Sequence, residues 1–276
     1  MPTVTATHGA GDASPAEALL RAGRLDAALE ALSAQVRSAP ADAQARVFLF
    51  QLLAAAGQWE RAARQLDAAQ RLDPGNATFA VVYAALLSAE RVRAEVFAGA
   101  RLPTVVGDPE PWLAPLLQAA QLDAQGLHAQ AAPLRARAFE GAPAAAGHLD
   151  GARFAWLADA DPRFGPCLEL VVDGGYAWAP FARIRALRVE PPASLCDTLW
   201  LPVVVAWAGG GESPAFVPAR YPGSESAGDD ALRLGRRTEW SQHGEETWLG
   251  LGQRMLATDA GERALLDVRA VGFDEA

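Results

Sequence analysis

The stretches GRLDAA at residues 23–28 and GQWERA at residues 57–62 decide the fold of the first half of this chain. Their glycines are 34 residues apart, and each is followed by alanine five positions later and by proline seventeen positions later. A third stretch, GLHAQA at residues 126–131, keeps the same spacing. The repeated positions are Gly23, Ala28 and Pro40, then Gly57, Trp59, Ala62 and Pro74, then Gly126, Ala131 and Pro143. Self-similarity at this period indicates stacked helix-turn-helix units.

Each repeated residue type suits such a unit. Glycine allows a sharp turn between paired helices, alanine allows the helices to approach closely, and proline ends the second helix. Apolar residues between these positions recur at helical spacing, as in Leu25, Leu29 and Leu32. The pattern resembles the tetratricopeptide repeat, which implies a groove that accepts a peptide or a helix. The alternative is a helical scaffold without a groove ligand.

Most of the rest of the first half is also predicted to be helical. Residues 77–98 predict one long helix, and residues 112–125 predict another. Between them, LPTVVGDPEP at residues 102–111 holds too many prolines for a helix and breaks the repeat. We therefore predict a disordered tail over 1–14 and a tetratricopeptide-like helical domain over 15–148.

The second half, residues 149–276, has a β-rich pattern of short β-branched and aromatic runs separated by glycine and proline. A short helix is expected over 151–157, and Asp173-Gly174-Gly175 predicts a hairpin turn. The predicted strands are 167–172, 176–181, 184–189, 199–206, 215–218, 248–257 and 265–272. This number of strands predicts a small antiparallel sheet or a partly closed barrel. The fold class is thus a two-domain protein, α followed by α+β.

The composition excludes several classes of function. All 24 basic residues are arginine, so no lysine is available for Schiff-base or phosphate-loop chemistry. Residues 1–150 hold 12 arginines against 15 acidic residues, and residues 151–276 hold 12 against 18. Neither half has the basic excess of a nucleic-acid-binding protein. No apolar run approaches the roughly 20 residues of a membrane-spanning helix, so no membrane partner is expected.

Two further features bear on the compartment. The start, MPTVTATHGAGDASP, has neither the basic nor the apolar region of a secretory signal, so we expect a cytoplasmic protein. The two cysteines, Cys167 and Cys196, form no disulfide framework or zinc pattern, and we expect both to be reduced and buried.

The acidic stretch DADPRFGPCLELVVDGG at residues 159–175 is the strongest candidate for chemistry. A calcium loop starting at Asp159 fails, because arginine, phenylalanine and leucine stand at its fifth, sixth and twelfth positions. A catalytic pair of carboxylates, formed by Asp161 with Glu169 or Asp173, would lack a neighbouring histidine or nucleophile. We favour a turn in which Asp159 and Asp161 pair with Arg163. The four histidines, His8, His128, His148 and His243, show no metal-binding spacing.

These observations predict a protein without catalytic, cofactor-binding or metal-binding residues, and therefore not an enzyme. The alternative is a ligand or metal site, with an enzyme-like activity, in the second half. Its residues would be Asp161, Arg163, Glu169 and Arg254.

Ordered motifs along the chain resemble the ImpE (SciE-type, TagJ) family of accessory proteins of bacterial type VI secretion. In the first half the similar segments are 19–29, 36–37, 40–42, 46, 49–53 and 57–62. In the second half they are 158–166, 169, 173–174, 176–181, 221–223, 237–240 and 252–255. The residues that carry the resemblance, and are candidates for interaction, are Asp159, Asp161, Arg163, Gly165, Pro166, Glu169, Tyr176, Trp178, Tyr221, Arg237, Trp240, Gly252 and Arg254. Ala177 departs from the pattern, which places an aromatic residue there.

The resemblance implies a non-enzymatic cytoplasmic accessory protein with a tetratricopeptide-like half and a β-rich half. It also implies two partners. One is a helix of the small subunit of the contractile sheath, bound in the groove of the repeat half. The other is the ATPase that recycles spent sheaths.

Overall fold

The computed structural model describes residues 14–245 and 247–274. The predicted tail therefore lies outside the described residues, except for Ser14, which caps the first helix. The Ser14 hydroxyl accepts from the Glu17 backbone N–H at 3.2 Å, and the Glu17 carboxylate accepts from the Ser14 N–H at 2.8 Å. This reciprocal pair is a capping box, and it fixes the start of the helical half.

Seven helices, counted among the described residues, make up the first half. They are α1 Pro15–Arg21, α2 Leu25–Ser38, α3 Ala43–Ala55, α4 Trp59–Leu72, α5 Ala77–Phe97, α6 Leu113–Ala124 and α7 His128–Gly141. Helix α1 pairs with α2, α3 with α4, and α6 with α7. The turn of each pair holds one repeat glycine, and φ is 74° at Gly23, 67° at Gly57 and 74° at Gly126. Only glycine adopts this left-handed backbone readily.

The other repeat positions also behave as predicted. Ala28, Ala62 and Ala131 are fully buried where the paired helices cross. Pro40, Pro74 and Pro143 each lie two residues beyond the end of the second helix of a pair. The tetratricopeptide-like helical architecture is therefore confirmed.

The helical repeat is interrupted after α5, as predicted, and the interrupting segment joins the two halves. Residues 104–105 form β1, Thr104–Val105, which runs parallel to a strand of the second half. The Val106 N–H extends this pairing by donating to the Trp178 carbonyl at 2.9 Å.

Strands dominate the second half, with one short helix, α8 Asp230–Arg233. The strands are β2 Gly147–Leu149, β3 Ala152–Phe154, β4 Leu157–Asp159, β5 Cys167–Val172, β6 Gly175–Pro180, β7 Ile184–Val189, β8 Trp200–Trp207, β9 Glu212–Pro218, β10 Thr238–His243, β11 Thr247–Gly252, β12 Met255–Thr258, β13 Gly261–Ala264 and β14 Ala270–Phe273. The main sheet has the order β1-β6-β5-β9-β8-β7-β14-β2-β3. All its neighbours are antiparallel except β1 and β6.

The sheet architecture confirms the antiparallel prediction but not the barrel. The main sheet ends at β1 on one side and at β3 on the other, so it is open. Strands β10 and β11 form a separate hairpin, and β13, β12 and β4 form a small sheet in that order. The predicted turn between β5 and β6 is confirmed, with φ of 50° at Asp173 and 75° at Gly174. Two successive residues with positive φ define the tight hairpin turn.

Three local predictions are wrong. The helix expected over 151–157 is replaced by β3 and β4, because Asp150 and Gly151 have positive φ and turn the chain back along β2. The strand expected over 248–257 is divided into β11 and β12 at Gly252, whose φ is 85°. The strand expected over 265–272 begins with a 3₁₀ turn at Leu265–Asp267, so only its end is extended. The polar strand β10 was not predicted at all.

The buried apolar residues form two clusters, one that extends across both halves and one that lies within the second half. The Trp200 ring of β8 lies 6.2 Å from the Trp59 ring of α4 and 6.0 Å from the Tyr83 ring of α5, measured between centroids. Cys167 and Cys196, free and buried as predicted, belong to the same core, and burial raises the pKa of both thiols. The predicted domain limits, 15–148 and 149–276, stay predictions, because one apolar cluster crosses that boundary while the other lies in the second half alone. None of the described helices is long and apolar enough to span a membrane.

Candidate functional site at the junction of the two halves

Four of the charged residues predicted from the sequence are buried where β4, β5 and the segment after β11 meet helix α5. Asp161, Glu169 and Arg254 have no exposed surface, and Asp159 is 4% exposed. Charged side chains are buried this deeply only when they are paired. The partners of each one therefore decide what the site can do.

Arg254 lies at the centre of this buried charge network. Its Nη1 donates to Asp159 Oδ2 at 2.6 Å, its Nη2 donates to Glu169, and its Nε donates to the Pro218 carbonyl at 3.0 Å. The guanidinium carbon also lies 4.3 Å from the centroid of the Phe164 ring, a cation–π contact. The Arg254 side chain thus reaches two carboxylates, a carbonyl and an aromatic face at once.

Glu169 connects this arginine to the helical half. Arg93 of α5 donates through Nε to Glu169 Oε1 at 2.7 Å and through Nη2 to Oε2 at 3.1 Å. The Tyr176 hydroxyl donates to the same carboxylate and accepts from Trp178 Nε1 at 2.8 Å. Burial alone would raise the pKa of Glu169, but the charges of Arg93 and Arg254 outweigh burial and hold that pKa below its usual value. Glu169 is therefore ionised at neutral pH.

Arg93 and Glu90 are site residues that the sequence did not reveal. Glu90 lies one helical turn before Arg93 and accepts from Trp200 Nε1 at 2.7 Å. Both residues are nearly buried, with 8% and 6% exposure for Glu90 and Arg93. Both residues fall at the spacing of the buried residues of α5. This spacing is the one feature of the sequence from which their burial could have been predicted.

Asp159 and Asp161 of the acidic stretch hold turns in place. Asp161 accepts from the Gly250 N–H at 2.8 Å and from Arg163 Nη2 at 2.6 Å, as the turn interpretation predicted. Asp159 instead pairs with Arg254, and its Oδ1 accepts from the Tyr221 hydroxyl at 3.0 Å. Burial raises the pKa of Asp159 to about 6, although the charge of Arg254 acts in the opposite direction.

The remaining candidate residues are also structural in their contacts. A Cβ at Gly165 would lie 2.2 Å from Phe139 Cε1, and one at Gly252 would lie 2.0 Å from the Arg237 carbonyl. The Pro166 carbonyl accepts from the Phe181 N–H at 2.9 Å. Tyr176, Trp178 and Tyr221 are buried, and the Trp240 ring packs on Tyr221 at 5.6 Å. Arg237 is the exposed member, paired with Asp229 and Glu239.

A second set of polar contacts joins the segment 220–236 to the ends of the repeat helices. Arg220 donates to the Ala55 carbonyl at the end of α3 at 2.8 Å. Arg236 donates to the Leu20 carbonyl near the end of α1 at 2.8 Å. The Leu25 N–H at the start of α2 donates to Asp230 at 2.8 Å. Basic groups at helix C-termini and acidic groups at N-termini are stabilising, so the second half caps helices of the first.

This arrangement argues against the alternative ligand site around Asp161, Arg163, Glu169 and Arg254. A ligand site would need these groups to converge on an exposed pocket. Instead the carboxylates are buried and occupied by arginine, tyrosine and backbone donors. Over residues 14–245 and 247–274, the structure also contains no group of three or more histidine, cysteine, aspartate or glutamate side chains suited to hold a metal ion.

The fold and the buried charges together define a protein in which a tetratricopeptide-like helical half is joined to an open, largely antiparallel sheet. Residues 19–88 match the tetratricopeptide repeat, and residues 151–272 match the family described as ImpE protein. The type VI secretion system accessory component TagJ of Pseudomonas aeruginosa is 51% identical over 259 residues, which cover 94% of this chain and 91% of that protein. This chain belongs to the ImpE (TagJ) family of type VI secretion accessory proteins.

A solved structure shows the same fold. The X-ray crystal structure of a Vibrio parahaemolyticus protein superposes with a TM-score of 0.87 at 27% sequence identity. The match covers 95% of this chain and 98% of that one. The open sheet and the helical stack are therefore shared over essentially the full length of both chains.

Proposed function

We propose that this protein is a non-enzymatic, cytoplasmic accessory component of a bacterial type VI secretion system and acts there as an adaptor. The observation that carries the proposal is the 51% identity to the TagJ accessory component over 94% of the chain. The burial of Asp159, Asp161, Glu169 and Arg254 supports it, because these side chains are bonded to other protein groups and are not free to react. Glu169 also connects the second half to Arg93 of the helical half. The adaptor assists assembly of the contractile sheath or its recycling by the ATPase.

The proposed partner is a helix of the small sheath subunit, and we place it on one face of the repeat half. Val47 of α3 and Val81 of α5 are 34 residues apart, so they occupy equivalent positions in successive units. Val81 is 68% exposed, and Val47 is partly exposed. Their neighbours on the same face are uncharged, namely Gln44, Gln51, Thr78, Ala85 and Ser88. An uncharged face with exposed valines suits the apolar side of an amphipathic helix.

The opposite character of α4 supports this placement. All but one of its exposed residues are charged, namely Glu60, Arg61, Arg64, Asp67 and Arg71, and the exception, Leu72, is the last residue of the helix. The edge formed by the turns at Gly23 and Gly57 is covered by the second half. The β5–β6 turn borders the face of Val81, since a Cβ at Gly174 would lie 3.8 Å from Ala85, but Val81 itself stays 68% exposed. Stacked repeats commonly bind their ligands on such a continuous surface.

Val81→Glu is expected to weaken binding of the small sheath subunit at least tenfold, because it places a charge where the apolar side of the partner helix packs. Leu102→Glu is the matched control, since Leu102 is 47% exposed but lies outside the repeat helices. Co-purification and calorimetric titration with the small sheath subunit measure the effect, with circular dichroism confirming the fold of both variants.

The two possible failures of this experiment are distinct. If the unmodified protein fails to bind the folded sheath subunit, the adaptor function itself is wrong. If the protein binds but both variants bind equally well, the partner occupies another surface and only the placement on α3 and α5 is wrong.

A further inference from the structure

Two of the four histidines of this chain meet outside the buried charge network. His128 begins α7 and His243 ends β10, 115 residues later, yet their ring centroids are 4.7 Å apart with planes at 59°. The His128 side chain is 18% exposed. The contact joins the α6–α7 pair to the β10–β11 hairpin.

His128 is held through one of its two ring nitrogens. His128 Nδ1 lies 2.9 Å from Asp123 Oδ1, and the other Asp123 oxygen accepts from Arg135 Nη1 at 2.5 Å, which holds the carboxylate in place. Because Asp123 engages Nδ1, Nε2 is the ring nitrogen of His128 that is left for a ligand.

His243 is also held through one ring nitrogen. Its Nε2 lies 2.9 Å from Ser241 Oγ, whose hydroxyl group also lies 3.2 Å from the Leu249 carbonyl. Nδ1 is therefore the ring nitrogen of His243 that is left for a ligand.

Neither of these two nitrogens has a hydrogen-bond partner among the described residues. Within the same residues, no side-chain nitrogen or oxygen is both fully buried and unpartnered, so His128 Nε2 and His243 Nδ1 reach solvent. One cation bound between the rings would engage both nitrogens. Neutral imidazole nitrogens are preferred ligands of zinc, copper and nickel ions.

We propose that His128 and His243 together bind one divalent transition-metal ion, with water completing its coordination. Metal–nitrogen bonds of about 2.0–2.1 Å place two imidazole nitrogens of a tetrahedral site about 3.3 Å apart, within reach of rings 4.7 Å apart. Asp123 orients His128 as the carboxylate partner that metal-bound histidines typically have, and its charge offsets the positive N-terminal end of α7. The ion would connect α7 to the β10–β11 hairpin.

The test uses the full-length protein, stripped of metal with a chelator, titrated with Zn²⁺ by calorimetry and with Cu²⁺ by electron paramagnetic resonance. We expect one site per chain, a Cu²⁺ spectrum with hyperfine coupling to two imidazole nitrogens, and a higher melting temperature with Zn²⁺, because the ion binds the folded state. His128→Gln and His243→Gln should each weaken binding at least tenfold and leave coupling to one nitrogen.

The matched control is the double variant His8→Gln/His148→Gln, which removes the other two histidines and should bind like the unmodified protein. Asp123→Asn should weaken binding by about 10–100-fold, and its melting temperature without metal separates that effect from loss of the Arg135 contact. The proposal is overturned if either single variant binds as tightly as the unmodified protein, if binding disappears in the control, or if neither ion binds.

Discussion

Glu169→Gln is expected to lower the free energy of unfolding by about 3–5 kcal/mol at pH 7, because it removes the shared counter-ion of Arg93 and Arg254. Both guanidinium groups are buried, so neither can recover its lost partner from solvent. Arg254 would keep the carboxylate of Asp159. Arg93 would keep the Arg220 carbonyl at 2.7 Å, but the one carboxylate left to it among the described residues is that of Glu90, whose oxygen is 3.5 Å away. Urea unfolding followed by tryptophan fluorescence measures the change.

The loss of stability in Glu169→Gln should also depend on pH. The folded-state pKa of Glu169 is lowered from its usual 4.5, so its contribution to stability is fully present above pH 4.5 and is lost as the pH falls through the folded pKa. The difference in unfolding free energy between the unmodified protein and Glu169→Gln should therefore narrow below pH 4.5.

Glu212→Gln provides the matched control for this prediction. Glu212 also accepts two hydrogen bonds from one arginine, Arg188, but both side chains are exposed to solvent. Exposed pairs contribute little to stability, so this variant should unfold close to the unmodified protein. Equal losses in Glu169→Gln and Glu212→Gln would show that the buried network does not hold the halves together.

Gly57→Ala is expected to destabilise the protein by about 2–5 kcal/mol through two separate effects. The left-handed backbone at φ 67° costs an alanine about 1–2 kcal/mol. In addition, the new Cβ would lie 2.6 Å from Cγ and 2.9 Å from Cβ of Glu225 in the second half, and such overpacking costs about 1–3 kcal/mol.

The chain contains its own control for the backbone effect. Gly126 occupies the same repeat position with φ 74°, but a Cβ there would meet no atom within 4 Å. Gly126→Ala should therefore show the backbone cost alone, about 1–2 kcal/mol. Thermal and urea unfolding of both variants measure the difference, and equal destabilisation would contradict the contact between the repeat turn and Glu225.

The sequence predicted the helical half well because its signals are local. A turn glycine, a buried alanine and a proline determine backbone geometry within a few residues, and their 34-residue period repeated this information. The hairpin at Asp173 was predictable for the same reason. The helix expected over 151–157 failed because β3 is three residues long and depends on pairing with β2, which no local pattern records.

The buried site was predictable only in part. The sequence identified Asp161 with Arg163, neighbours that contact each other directly. It did not pair Glu169 with Arg93, because 76 residues separate them and their contact depends on how α5 packs against β5. An arginine on a helix is usually exposed, so the burial of Arg93 could be predicted only if the position of Glu169 were already known.

The caps that segment 220–236 provides have a consequence for how this family can evolve. Solenoid proteins commonly gain or lose whole units, because each unit contacts only its neighbours. Here Asp230 and Arg236 hold the first helical pair while Arg220 holds the second. A 34-residue unit inserted between those pairs would separate two ends that one rigid segment must reach together. The sheet half therefore fixes the number of units between these two anchor points, and variation in partner recognition has to come from substitution on a face of constant length.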